Sequence, residues 1–141
     1  LEKYATTCGG GFTHRMGLYD RVLIKDNHLA SLGISSAKQF SAFLQRVKSQ
    51  TADLILEVEI DSIEYLEPAL IANVDAVLLD NFSPSEVHEA MTINQERAVI
   101  EASGGITLKN LKEFSEAHPH FISTGAPIHT SRWLDIGLDW E

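Results

Sequence analysis

Short apolar runs alternate with amphipathic stretches along most of the chain. "RVLIKD" (21–26) is a brief aliphatic and β-branched run, the pattern of a strand. "SAKQFSAFLQRVKSQ" (36–50) sets Ala37, Phe40, Leu44 and Val47 at three- and four-residue steps. It opens on Ser36 with Gln39 three residues later, which predicts a capped helix. "LILEVEI" (54–60) alternates as a strand does. "DSIEYLEPALIAN" (61–73) then predicts a helix, with Asp61 and Glu64 in capping-box spacing and Pro68 as its weak point. "DAVLLDN" (75–81) is the next strand. "SPSEVHEAM" (83–91) starts a helix with Ser83 as N-cap, Pro84 at the first helical position and Glu86 three residues after the cap. "RAVIEASGG" (97–105) predicts a strand ending in glycines, "TLKNLKEFSEAH" (107–118) a helix capped by Thr107, and "HFISTGA" (120–126) another strand ending in glycine. "LDIGL" (134–138) is a last apolar run that closes the chain, and "LEKYATTC" (1–8) reads as the body of a helix whose start lies before Leu1.

Strands and helices that alternate at this spacing form βαβ units, hence parallel strands joined by right-handed crossovers. The units share a plan but no repeated sequence, which excludes a solenoid or propeller. The choice between a closed barrel and an open doubly wound sheet rests on "LILEVEI". Leu56, Val58 and Ile60 share one face, and Glu57 and Glu59 share the other. A sheet covered by helices on both sides is apolar on both sides, whereas a barrel tolerates charge inside its mouth, so a barrel is expected.

With 141 residues, 44% of them hydrophobic, the chain has the makings of a single globular domain. Its formal charge of −9 argues against a nucleic-acid or anionic-membrane partner and leaves room only for a local cationic pocket, such as Arg15 with Lys25. No apolar run approaches the roughly 18 residues of a membrane span, and no basic-then-apolar leader precedes Leu1, so a cytoplasmic protein is expected. The single cysteine, Cys8, cannot form an internal disulfide and is read as a small packing residue.

In a parallel sheet the C-terminal strand ends share one rim. Here that rim carries Lys25, Asp26, Asn27 and His28, then Glu59 and Asp61, Asp80 and Asn81, Ser103 to Gly105, and Thr124 with Gly125. Asp61 and Asn81 are read as turn or cap residues. Ser103, Gly104 and Gly105, with Gly125 on the next strand, let backbone N–H groups approach a phosphate, and a following helix start would add its dipole. Glu59 and Asp80 are oxygen ligands for Mg²⁺ or sugar hydroxyls beside that phosphate, with pairing to Lys25 or Arg15 as the alternative. Arg15 and Lys25 together suit a substrate with carboxylates.

"GGGFTHRMGLYDRVLIKDNH", "LEVEIDS", "VLLDNFSPSE", "EASGGIT" and "FISTGA" occur in the order found in quinolinate phosphoribosyltransferases, and the whole chain resembles that family. The resemblance implies an α/β fold, an incomplete (β/α) barrel of the type II phosphoribosyltransferase kind with its active site at the C-terminal strand ends. It implies a pentosyltransferase of NAD biosynthesis that joins quinolinate to phosphoribosyl pyrophosphate, releasing pyrophosphate and CO₂. By motif it assigns His14, Arg15 and Lys25 to the quinolinate carboxylates, and Glu59 and Asp80 to ribose and Mg²⁺–pyrophosphate. Ser103, Gly104, Gly105 and Gly125 fall to the 5′-phosphate, with His129 as a weaker match. Lys25, Glu59 and Asp80 are the catalytic candidates and Mg²⁺ the expected cofactor. The resemblance further implies a homodimer or higher homo-oligomer. Gly9, Gly10 and Gly11 are expected to be a turn that carries His14 and Arg15 over the mouth rather than the phosphate loop.

The chain departs from the family in two ways. Thr13 stands where an asparagine is usual, and the family's N-terminal domain, its Thr-Arg-Lys-Thr strand and a partner-donated arginine have no counterpart in 1–141. Residues 1–141 are therefore expected to be the C-terminal barrel domain without its first strand, and to be inactive alone. Two alternatives are a molybdenum-transport-associated paralogue acting on another substrate and a non-catalytic truncated remnant.

Overall fold

A computed structural model describes residues 1–15, 17, 19–51, 53–131 and 135–138. In chain order the elements begin with α1 (Glu2–Cys8), β1 (Arg21–Ile24), α2 (Asp26–Ser31), α3 (Ala37–Gln50) and β2 (Ile55–Ile60). A 3₁₀ turn (Ile63–Tyr65) leads into α4 (Leu66–Ile71), followed by β3 (Ala76–Asp80), α5 (Pro84–Asn94) and β4 (Val99–Ser103). α6 (Leu111–Glu116), β5 (Phe121–Ile122) and α7 (Ala126–His129) complete the set.

The strands form one parallel sheet in the order β1-β2-β3-β4-β5, each beside its neighbour in sequence. A doubly wound sheet reverses its order at a switch point and carries helices on both faces. Here the order never reverses. Val22 and Ile24 stand in register with Leu56 and Val58, which lead across to Val77, Ile100 and the pair Ala102 and Ile122. That row is the apolar face, and Phe40 and Leu44 of α3, Leu66 and Ala69 of α4, Val87 of α5 and Phe114 of α6 pack on it. Phe40 and Leu44 are fully buried, as are Leu56, Val58, Val77 and Ile100, each contributing about 1.5–3 kcal/mol of transfer free energy. Helices on one face and consecutive order are the winding of a barrel segment. The opposite face carries Glu57, Glu59, Asp80, Glu101 and Ser103, the side of the sheet that the alternation in "LILEVEI" marked as polar.

Several local expectations are corrected. Asp61 and Glu64 do not cap a helix. The chain turns once in 3₁₀ form after Ser62, and α4 begins at Leu66, which places Pro68 in the first turn, where a missing N–H costs no helical bond. α6 starts one turn later than Thr107 suggests. The Asn110 side-chain oxygen accepts from the Thr107 N–H (2.7 Å) and the Thr107 hydroxyl from the Lys109 N–H (3.3 Å), so these two polar side chains close a separate turn first. β5 is only two residues long, bracketed by His120, whose ring Nδ1 accepts from the Ile100 N–H at 2.9 Å. Cys8 is exposed at the end of α1 rather than packed. Within "LDIGL", residue 134 lies outside the described residues, and 135–138 form neither helix nor strand.

Candidate active site

The uncovered sheet face is built in rows. Lys25, next after Ile24 of β1, comes abreast of Glu59 on β2, and the two form an ion pair. Glu59 stands in register with Leu78, and Leu78 with Glu101. One step further along, Asp80 pairs in register with Ser103. Glu59 is nearly buried, while Asp80 is half-buried and accepts from the Asn81 side-chain amide at 2.9 Å. The pairing of Glu59 with Lys25, one of the two readings open to it in the sequence, is thus present, and both groups stand at the rim expected of the site.

A cleft of about 530 Å³ opens at this end of the sheet. His14 and Arg15 line it together with Ser103, Ser123, Thr124 and Gly125, and Lys3 and Phe12 border it. Four of the sequence candidates, His14, Arg15, Ser103 and Gly125, are therefore brought together. Lys25, Glu59, Asp80, Gly104 and Gly105 do not line this cleft. Glu59 instead borders a smaller pocket of about 170 Å³ with Asp26, Asp61 and Tyr65. Gly104 lies against Asn81, since a Cβ there would come within 2.3 Å of the Asn81 carboxamide oxygen. Gly105 accepts from the Asn110 side-chain amide at 3.2 Å. No helix starts directly after Gly105, so the expected dipole is missing at that loop, whereas α7 does begin directly after Gly125. His129, on α7, sits with its ring over Gly125, and its N–H donates to the Gly125 carbonyl at 2.9 Å.

Two carboxylates not singled out from the sequence dominate the interior of this face. Glu57 is fully buried and Glu101 nearly so. The Arg21 guanidinium donates to Glu57 at 2.9 Å, and the Ser123 hydroxyl donates to Glu101. His14 Nε2 lies 3.0 Å from Glu57 and 3.6 Å from Glu101. Burial pushes the Glu101 carboxyl above the ordinary carboxylate range. The Glu57 charge adds to the rise, while the Ser123 hydroxyl, His14 and Arg21 oppose it. The three ligand atoms of His14, Glu57 and Glu101 lie within 4.8 Å of one another. The signal available in the sequence was a glutamate flanked by aliphatic residues inside a strand, in "LILEVEI" and again in "RAVIEAS".

Residues 1–139 match the family described as quinolinate phosphoribosyl transferase, C-terminal domain. The chain belongs to this family. Among relatives of the quinolinate phosphoribosyltransferase domain, the probable nicotinate-nucleotide pyrophosphorylase (carboxylating) of Bacillus subtilis is 37% identical over 140 residues, covering 99% of this chain and 47% of that protein. The human nicotinate-nucleotide pyrophosphorylase (carboxylating) is 38% identical over 144 residues, covering 98% and 46%. The solved nicotinate-nucleotide pyrophosphorylase of Ehrlichia chaffeensis superposes with a TM-score of 0.85 at 36% identity, over 98% of this chain and 48% of its own. The one from Francisella tularensis superposes at 0.76 and 37% identity, over 87% and 42%. The chain spans about half the length of the curated relatives it matches. Among the described residues no helix is long and apolar enough to cross a membrane.

Proposed function

We propose that the chain is the barrel part of a quinolinate phosphoribosyltransferase, joining quinolinate to phosphoribosyl pyrophosphate to give nicotinate mononucleotide, pyrophosphate and CO₂. The observation that carries this reading is that His14, Arg15, Ser103 and Gly125 line one and the same cleft. A guanidinium and an imidazole suit a dicarboxylate, and a strand end with glycine suits a phosphate. The family and the names of the relatives agree with it.

In this reading Arg15 holds a quinolinate carboxylate in a bidentate fork, with His14 beside it. Lys25, already paired with Glu59, supplies a second cation at the edge of the ring. The pyridine nitrogen lone pair forms the bond to the anomeric carbon as the bond from that carbon to pyrophosphate breaks. The positive charge that develops on the sugar is stabilised by Glu59 and Asp80, which lie on one face of adjacent strands. The ring carboxylate next to the new pyridinium then leaves as CO₂. Its electron pair stays on the ring carbon, where a proton takes its place. Glu59 and Asp80 also fit Mg²⁺, being hard oxygen donors of which only one oxygen each is engaged in the contacts above. Mg²⁺ held by Glu59 and Asp80 would supply positive charge to offset that of the pyrophosphate leaving group. Ser103, Gly104, Gly105 and Gly125 receive the 5′-phosphate, with His129 over Gly125. The working protein in this reading is a cytoplasmic homodimer or higher homo-oligomer.

The test is pyrophosphate release by the whole gene product that carries these residues. Arg15→Ala is expected to raise KM for quinolinate by about 10- to 100-fold, the loss of a charge-assisted hydrogen bond, with KM for phosphoribosyl pyrophosphate little changed. Turnover that does not need quinolinate, or an Arg15→Ala variant with unchanged KM, overturns the reading.

A further inference from the structure

Among the described residues three polar side chains are buried: Asn94, Glu57 and Glu101. Asn94 is satisfied locally, donating to the Ala98 carbonyl at 2.8 Å and accepting from the Ala98 N–H at 3.1 Å. The glutamates have no such local role. Each is a carboxylate removed from water in the middle of a strand, where an aliphatic side chain of similar size would avoid the desolvation penalty. The chemistry above uses neither of them.

What they do is converge on one ring. His14 Nε2 lies between the two carboxylates, which come from β2 and β4 on either side of β3. Each glutamate is anchored from a further element, Glu57 by Arg21 of β1 and Glu101 by Ser123 just past β5. Glu57 Oε1 and His14 Nε2 are both buried and make no hydrogen bond, so the carboxylates hold the ring by charge and proximity. His14 itself belongs to neither helix nor strand, in the stretch between α1 and β1. No regular backbone ladder fixes its ring, which leaves that task to side-chain contacts.

We propose that Glu57 and Glu101 are positioning residues for the dicarboxylate end of the site: they hold His14, and with it the adjacent Arg15, in the cleft. This rests on the reading of His14 and Arg15 as quinolinate ligands. Glu101 is the sharper handle, because Ser123 joins it to the Thr124–Gly125 end of the same cleft.

The sign of the effect separates positioning from plain electrostatics. Removing a negative charge near a bound dianion would, by relief of Coulomb repulsion alone, lower KM for quinolinate. Positioning predicts the opposite. In the whole gene product, Glu101→Gln, which keeps the volume, is expected to raise KM for quinolinate about fivefold, the scale of one ion-pair contact. KM for phosphoribosyl pyrophosphate should stay within about twofold, and Glu101→Asp should recover part of the loss. In a His14→Ala background Glu101→Gln should add little, because the ring it acts through is gone. If Glu101→Gln fails to fold, Glu57→Gln, which alters the other carboxylate facing His14, makes the same test.

A lowered KM, an equal rise in both KM values, or effects of Glu101→Gln and His14→Ala that multiply would each overturn the proposal. A His14→Ala variant with unchanged quinolinate KM overturns the underlying reading of His14 as well. A raised KM in His14→Ala with none in Glu101→Gln overturns the positioning alone.

Discussion

An alanine at position 104 would place its Cβ 2.3 Å from the Asn81 carboxamide oxygen and 2.6 Å from the Asn81 nitrogen, at a backbone φ of +89°. The next glycine, at φ +62°, has open space around it. The two are indistinguishable as letters. Gly104→Ala should therefore cost at least about 2 kcal/mol of stability, combining left-handed strain with a clash against backbone, and Gly105→Ala only about 1 kcal/mol. Urea denaturation of the two variants checks this, and equal losses would contradict the geometry. The glycines at the strand end were readable because turn chemistry is local. The roles of Glu57 and Glu101 were not. Glu57, with Glu59, showed which face of the sheet was polar, but the partners of Glu57 and Glu101, namely His14, Arg21 and Ser123, lie in other segments, and nothing in the local pattern joins them.

Helix α5 shows how far local signals reach. Ser83 accepts from the Glu86 N–H at 3.3 Å, and Glu86 accepts from the Ser83 N–H at 2.7 Å, the reciprocal cap that the sequence predicted. Bonds from the Ser83 hydroxyl and N–H hold the Glu86 carboxyl below its ordinary range. Ser83→Ala should lower stability by about 1 kcal/mol without changing KM for either substrate, measured by thermal melting beside the assay. Because the folded state lowers this carboxyl, its part of the cap is present above the ordinary carboxylate pKa. It fades as pH falls through the lowered value, so wild type and variant should converge in acid. Elements whose start depended on competing polar groups were less legible. At α6 the sequence offers Thr107 as the cap, and Asn110 competes with it. The structure resolves the rivalry by pairing them with each other, and the helix begins after both. At α4 the capping-box spacing of Asp61 and Glu64 was outweighed by burial of Leu66, Ala69 and Leu70, which sets where the helix must face the sheet.

The barrel winding was legible because a single strand, β2, carries an apolar and a charged face, and that pattern fits helices on one side only. What lies beside the outer edges of β1 and β5 was not, since an edge is a property of neighbours rather than of the strand. The consecutive strand order also bears on how the chain acquires its structure. Every pairing joins strands that follow one another in the chain, so no distant loop has to close before the sheet can grow. Growth should begin where burial is deepest, at β2, β3 and β4, with β1 and β5 added afterwards. Amide hydrogen exchange should accordingly be slowest at Val58, Val77, Leu79 and Ile100 and faster at Val22 and Ile122. Equal protection across all five strands would mean that the sheet opens only as a whole. A middle-out order would leave the cleft, which draws on the stretch before β1 and the loop after β5, as the last part of the molecule to take shape.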